Sequence, residues 1–169
     1  KVKESLNTAV FNDVLTDARN RVSFSNDFEP GKVKNSEDYP YYFAMFNIMD
    51  FSRINIMFGE ENGDMILVST VDALRECFDN SEIYRTGSDE FIVAVPLSKN
   101  DVGYSVLMKN IDKALGMLSS PYETEQGNFS VMYKVSAARK SKNIDSSVLS
   151  SLKNILNQSQ PAASGQIPF

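Results

Sequence analysis

The stretch YYFAMFNIM, residues 41–49, is aromatic and apolar on both of its alternating faces. A strand with one wet face would alternate, so this pattern predicts a central strand covered on both sides. After it the period changes. DFSRINIMFGEENGDMILVSTVDALRECF, residues 50–78, predicts a helix broken at Gly59 and restarted, with Ile66, Leu67, Val71 and Leu74 turned inward. SEIYRT and EFIVAVPL read as two short strands joined by a Gly87-Ser88-Asp89 turn, a hairpin. NDVGYSVLMKNIDKALGMLSS predicts an amphipathic helix that opens on Asn100-Asp101, with Val106, Leu107, Ile111, Leu115 and Leu118 on its inner face. FSVMYKVSAARK alternates as a strand, and IDSSVLSSLKNILNQ closes the pattern with a last amphipathic helix.

Ahead of the central strand, Leu6, Val10, Leu15, Val22 and Phe24 recur in loose helical spacing, interrupted near NDVLTD. Two helical pieces with a turn between them are expected, Asn12 or Asp13 capping the second. EPGKVKNSEDYP is a polar loop, and SQPAASGQIPF reads as a loose tail. The order is helix, strand, helix, strand, strand, helix, strand, helix. One helical connection before a central hairpin and one after it is the ferredoxin-like arrangement, an antiparallel central sheet flanked by helices. The class is α+β. Residues 1–169 form a single domain, with no internal repeat and no dividing linker.

Composition narrows the chemistry. With 169 residues, 42% hydrophobic and 23% charged, the chain suits one soluble domain with a sizeable core. A net charge of −5 gives no bulk attraction to nucleic acid polymers or to an anionic membrane. The absence of histidine removes the commonest general base, the commonest zinc ligand and every Ser-His-Asp or Cys-His arrangement. Cys77, the one cysteine, falls in the apolar phase of its helix and reads as a buried filler. No run of the sequence is long and apolar enough for a membrane span, and no secretion signal opens it. The expectation is a cytoplasmic domain. A start at Lys1 without an initiator Met suggests a piece of a longer protein, residues 1–12 being the end of a helix that couples to an upstream sensor domain.

The chemistry gathers at the hairpin, where Asp89 and Glu90 follow Gly87 and Ser88. Two acids at a turn fit either a hard-cation site or solvated charges at a tight turn. Three separated blocks bear on the choice. DVLTDARNRVSF carries Asp13, Leu15, Thr16, Asn20, Arg21 and Phe24; FNIMDFSRINIMFGEENGD carries Phe51, Ile54, Asn55, Gly59, Gly63 and Asp64; RTGSDEF holds the turn. In this order and spacing the chain resembles the GGDEF domain, the catalytic module of bacterial diguanylate cyclases, in a GSDEF variant.

The resemblance implies a nucleotidyl-cyclase-like fold and a site at which two GTP molecules, one on each of two facing domains, condense to cyclic di-GMP with magnesium. It implies guanine reading by Asn55 and Asp64, phosphate contacts from the backbone at Asp50 and Phe51 and around Gly87 and Ser88, metal ligation by Asp89 and Asn47, and deprotonation of the attacking hydroxyl by Glu90. The plain alternatives are solvation for Asn55 and an N-cap after Gly63 for Asp64.

Departures from the family pattern are as informative as the matches. Its first metal carboxylate is Asn47 here, its second Asp is Met49, and its Lys after the Phe is Ser52. Ile56 replaces an Asp, Glu60 a His, and Ser88 the second glycine of the signature. The basic K-x-x-G-R-N-R near the C-terminus has no counterpart in NQSQPAASGQIPF, and the product-inhibition motif R-x-x-D is FDNS at residues 78–81. Charge-assisted contacts are each worth roughly 1.5–3 kcal/mol, so losing several implies a loss of many orders of magnitude in rate. The leading expectation is a degenerate domain of cyclic di-GMP signalling, with magnesium binding weak or lost, that acts as a regulatory or GTP-binding module. Its alternatives are a low-activity cyclase and a nucleotide-free scaffold dimerising through its GGDEF faces or its N-terminal helix.

Overall fold

At the centre of the sheet stands β2 (Tyr41–Ile48), antiparallel to β4 (Glu90–Pro96) on one side and to β7 (Tyr133–Lys140) on the other. The computed structural model describes residues 10–29, 41–97, 103–140 and 147–158. β3 (Glu82–Arg85) pairs with β4 as the expected hairpin. A two-residue strand that the helical reading missed, β1 (Arg19–Asn20), joins β3 in parallel at the edge. The order β1-β3-β4-β2-β7 is the ferredoxin-like sheet with one strand added.

Both faces of β2 are buried, as its sequence requires. Tyr42, Ala44, Phe46 and Ile48 face a core built with α2 (Phe51–Phe58), α3 (Glu60–Cys77) and α4 (Tyr104–Leu118). Phe43 and Met45 face a second core built with α1 (Arg21–Phe28) and α5 (Val148–Gln158). In that second core Phe28 meets Phe43 edge-on at 4.9 Å, and Phe24 meets Tyr84 at 5.2 Å, the geometry that ring quadrupoles favour. Burial and two carboxylate partners, Glu82 and Asp27, drive the Tyr84 hydroxyl far above its usual titration range. Cys77 is the expected filler: it is buried, its sulfur lies 3.6 Å from that of Met117, and burial pushes its thiol up.

The break at Gly59 follows from its backbone. At φ 89° and ψ 157° it caps both α2 and α3, in a region where a side chain would clash with the backbone. On α3 the inward residues include Ile66, Leu67, Val71 and Leu74, as the spacing predicts. On α4 the stripe is Leu107, Ile111, Ala114 and Leu118; Val106 is exposed, Leu115 only part-buried, and the described helix begins at a Gly103 cap. FSVMYKVSAARK is not one strand. Its first residue ends β6 (Gly127–Phe129), which pairs with β5 (Tyr122–Thr124) in a small separate hairpin, and β7 begins at Tyr133.

In the N-terminal segment the apolar stripe departs most from its pattern. Val10, Leu15 and Val22 are exposed, and the residues that enter the cores are Ala18, Phe24 and Phe28. Val10 and Phe11 are helical, the turn at Val14–Thr16 follows where it is expected, and the second helical piece is α1, capped not by Asn12 or Asp13 but by Asn20, whose side chain accepts from the Ser23 amide at 3.0 Å. Asp13 instead organises a turn. Its carboxylate accepts from the backbone N–H and hydroxyl of Thr16 at 2.9 and 2.7 Å, and from Arg85 at 3.0 Å. A local hydrogen-bonding acid outcompetes helix here. Leu6, the proposed coupling helix through residue 9, the loop at 30–40 and the tail from 159 lie outside the described residues.

Partial burial works to raise the Asp13 pKa, but the Thr16 and Arg85 contacts outweigh it and hold the group below its ordinary 3.8. A depressed carboxylate stabilises the fold fully above its unfolded value, and that contribution disappears as pH falls through the folded one. Asp13→Asn is therefore expected to lower stability at neutral pH by about 1 kcal/mol, allowing for solvent screening, and to flatten the acid limb of the stability curve. Urea midpoints measured from pH 7 down to acid check both effects.

Candidate functional site

β-Strand alternation decides where the hairpin acids go. Asn47 on β2 stands opposite Glu90 on β4, and each is two residues from a neighbour, Met45 and Ile92, that belongs to the α1/α5 core. Both therefore lie on the sheet face that α5 covers. Glu90 is buried, 7% exposed. The buried Thr86 hydroxyl donates to one of its carboxylate oxygens at 2.6 Å, and the Lys153 ammonium on α5 lies 3.3 Å from the other. An acid in such a place needs a cation and a donor, and it has both.

The tip of the hairpin is held from two sides. The Asp89 carbonyl accepts from the Ile48 backbone N–H at 2.9 Å and, at the long distance of 3.5 Å, from the Asn47 side-chain amide. Arg85 donates to the Ser88 carbonyl at 2.7 Å while pairing with Asp13, so the N-terminal turn braces the signature turn. Gly87 eases a close approach, since a Cβ there would sit 3.2 Å from that of Glu90. Ser88 is exposed, its hydroxyl 3.3 Å from the Asp89 carboxylate.

A second group lies along α2 and α3. Asp50 caps α2 in the left-handed region (φ 53°, ψ 30°), where Asp is tolerated better than most residues, and Phe51 is buried beneath the first turn. The amides of that turn have no acceptor within their own helix. One turn on, the Asn55 side-chain oxygen is buried without a hydrogen-bond partner. Gly63 makes room for it: an added Cβ would fall 1.8 Å from that oxygen. Asn55 is thus more than a solvated surface residue. Asp64 is exposed and lies inside α3, whose cap is Gly59, so the N-cap alternative for Asp64 is overturned.

Sequence reasoning missed Thr86, Arg85 and Lys153. Lys153 had a readable signal, because it stands four residues after Leu149 and next to Leu152, both on the buried side of α5. A lysine beside an apolar stripe lays its stem along the core, which here brings its ammonium to Glu90. Also unforeseen is a groove of about 180 Å³ between α2 and the β5–β6 hairpin, lined by Met49, Arg53, Met57, Phe58, Phe129 and Met132 among others. It is smaller than the roughly 300–1,000 Å³ of typical ligand pockets.

Magnesium demands near-octahedral oxygen ligands, carboxylates foremost. Among the described residues no three acid, cysteine or histidine side chains gather in a way that could hold a metal. At the hairpin, position 47 offers a neutral amide turned toward a carbonyl, Glu90 is engaged by an ammonium, and Asp89 is the remaining carboxylate. One free carboxylate and a neutral amide are a minimal donor set for the ion. Removing the Thr86 donor tests how tightly the acid is held. Thr86→Val, nearly isosteric, leaves a buried carboxylate oxygen without its hydroxyl and is expected to cost about 1.5–3 kcal/mol in urea denaturation.

Comparison with known proteins gives one answer. The family model for "Diguanylate cyclase, GGDEF domain" matches residues 10–163. Diguanylate cyclase DgcM of Escherichia coli K12 is 26% identical over 110 residues, covering 63% of this chain and 26% of DgcM. Probable diguanylate cyclase DgcI of the same strain is 29% identical over 127 residues, 69% of this chain and 28% of DgcI. The chain thus spans little more than a quarter of these relatives. Among solved structures, the coiled coil and GGDEF domain of Caulobacter crescentus DgcB in complex with c-di-GMP superposes with a TM-score of 0.77 at 16% identity, covering 92% of this chain and 83% of that one. The FimX GGDEF domain of Pseudomonas aeruginosa gives 0.71 at 14%, covering 94% and 99%. At such identities these likenesses speak for the fold.

Proposed function

The chain belongs to the GGDEF family of diguanylate cyclase domains, and from that premise we propose that it is a degenerate member: a guanine-nucleotide-binding regulatory module of cyclic di-GMP signalling whose cyclase chemistry is impaired and whose magnesium binding is weak or lost. The observation that carries the reading is the buried, unpaired oxygen of Asn55 beside Gly63. An unsatisfied buried acceptor costs about 1–3 kcal/mol, and an N–H donor on a guanine edge would relieve it. Asp64, exposed one residue beyond Gly63, supplies a carboxylate for the remaining donors of that edge. The amides at Asp50 and Phe51 and the turn at Gly87 and Ser88 are the proposed phosphate contacts.

Impairment is supported from the other end of the site. A base must come within hydrogen-bond reach of the proton it takes. Glu90 is buried and already bound to Thr86 and Lys153, and its register partner is the neutral Asn47. One observation favours a low-activity cyclase as a second reading: Asp89 keeps a part-exposed carboxylate at the turn, with a hydroxyl beside it. A homodimer through the face bearing Asn55 and Asp64, and an upstream sensor domain, complete the proposal.

Calorimetric titration with GTP tests it. Binding is expected in wild type, and Gly63→Ala, whose methyl must displace the Asn55 amide, is expected to weaken it by at least about tenfold, or 1.4 kcal/mol. No cyclic di-GMP should form over hours. Robust turnover would establish the cyclase reading, and absence of heat at millimolar GTP would leave a nucleotide-free scaffold.

A further inference from the structure

The ion pair between Glu90 and Lys153 joins the signature hairpin to the last described helix, which nothing in the hairpin's own sequence requires. Four observations meet there. Glu90 is buried, with its side chain only 10% exposed, while Lys153 reaches it from a side chain that is 41% exposed. The second carboxylate oxygen is already used by Thr86. The residue across the strand is Asn47, which brings no charge. Lys153 leaves from the side of α5 that packs on the sheet, beside Leu149, Leu152 and Leu156.

We infer that Lys153 is a resident cation that takes up the Glu90 carboxylate, so that the hairpin is neutralised from inside the chain and divalent metal is excluded from it. The physical argument is electrostatic. A divalent ion approaching Asp89 would be held better by a second carboxylate, and that of its sequence neighbour Glu90 has an ammonium 3.3 Å away. That ammonium both removes a ligand and repels the ion, and at a half-buried position the repulsion is screened less than in water. Lys153 acts through Glu90, as a positioning residue. The inference deepens the proposed reading of the site, yet it holds whether or not a nucleotide binds.

Its test uses manganese as a spectroscopic stand-in for magnesium, in a nucleotide-free titration of the whole chain followed by electron paramagnetic resonance. Wild type and an exposed-lysine control, Lys109→Met, are expected to bind Mn2+ weakly and alike. Lys153→Met frees Glu90 beside Asp89 and is expected to bind at least about tenfold more tightly. Lys153→Gln, which keeps a polar group near the buried acid, should show the same gain and is read if the methionine variant does not fold. Glu90→Gln combined with Lys153→Met removes both charges and should return to the wild-type affinity. Wild-type binding as tight as that of the Lys153 variants, or a gain that persists in the double variant, would overturn the inference. Absence of GTP binding would count only against the nucleotide reading, because no nucleotide enters this experiment.

Discussion

The eight residues of β2 can bury both faces only if strands flank them and helices lie above and below. That single demand sets the architecture. β4 and β7 satisfy the edges, α2, α3 and α4 cover one face, and α1 and α5 cover the other. Burying a large apolar side chain is worth roughly 1.5–3 kcal/mol, so a slip of one residue in the register of β2 would exchange both cores at once. The register is fixed by packing, and the site inherits it.

Alternation along the strands explains the chemistry at their ends. The residues that continue the α1/α5 core beyond Met45 and Ile92 are Asn47 and Glu90. Two acids there would repel across the strand, and a metal could hold them together. In this chain one acid is replaced by an amide and the other is met by Lys153. The amide and the ammonium act together, since the charge of this cross-strand pair balances without an ion. The Asn55 and Gly63 arrangement, which straddles the helix break at Gly59, is untouched by that exchange.

Long periodic segments were legible in the sequence because one principle governed each of them. The strand at 41–48, the helix break at Gly59, the stripe on α3 and the hairpin all follow from pattern and turn chemistry. Where two principles competed, the pattern misled. Val10 and Val22 do lie in helical pieces with the expected turn between them, but they and Leu15 are exposed, and the turn that Asp13 makes with Thr16 and Arg85 runs through an edge strand before the second helix. Likewise Phe129 and Tyr133 sit in separate strands although the spacing between them alternates. At the site, residue types and spacing pointed to Asn55, Asp64, Asp89 and Glu90. The contact with Lys153, 63 residues beyond Glu90 (153 − 90), depends on how α5 crosses the sheet, and no local pattern encodes that crossing.

The pairing of β2 with β7 also bears on the order in which the molecule can assemble. Tyr41 is opposite Lys140, a separation of 99 residues (140 − 41). On a ribosome that makes about 5–20 residues per second, β2 waits several seconds for its second neighbour. Its first neighbour, β4, arrives about halfway through that interval, and until β7 follows the central strand of the sheet has one open edge. Such an edge is a template for pairing with another chain. The vulnerable species in the biogenesis of this domain is therefore the half-built sheet, whose exposed template is the β7-facing edge of β2.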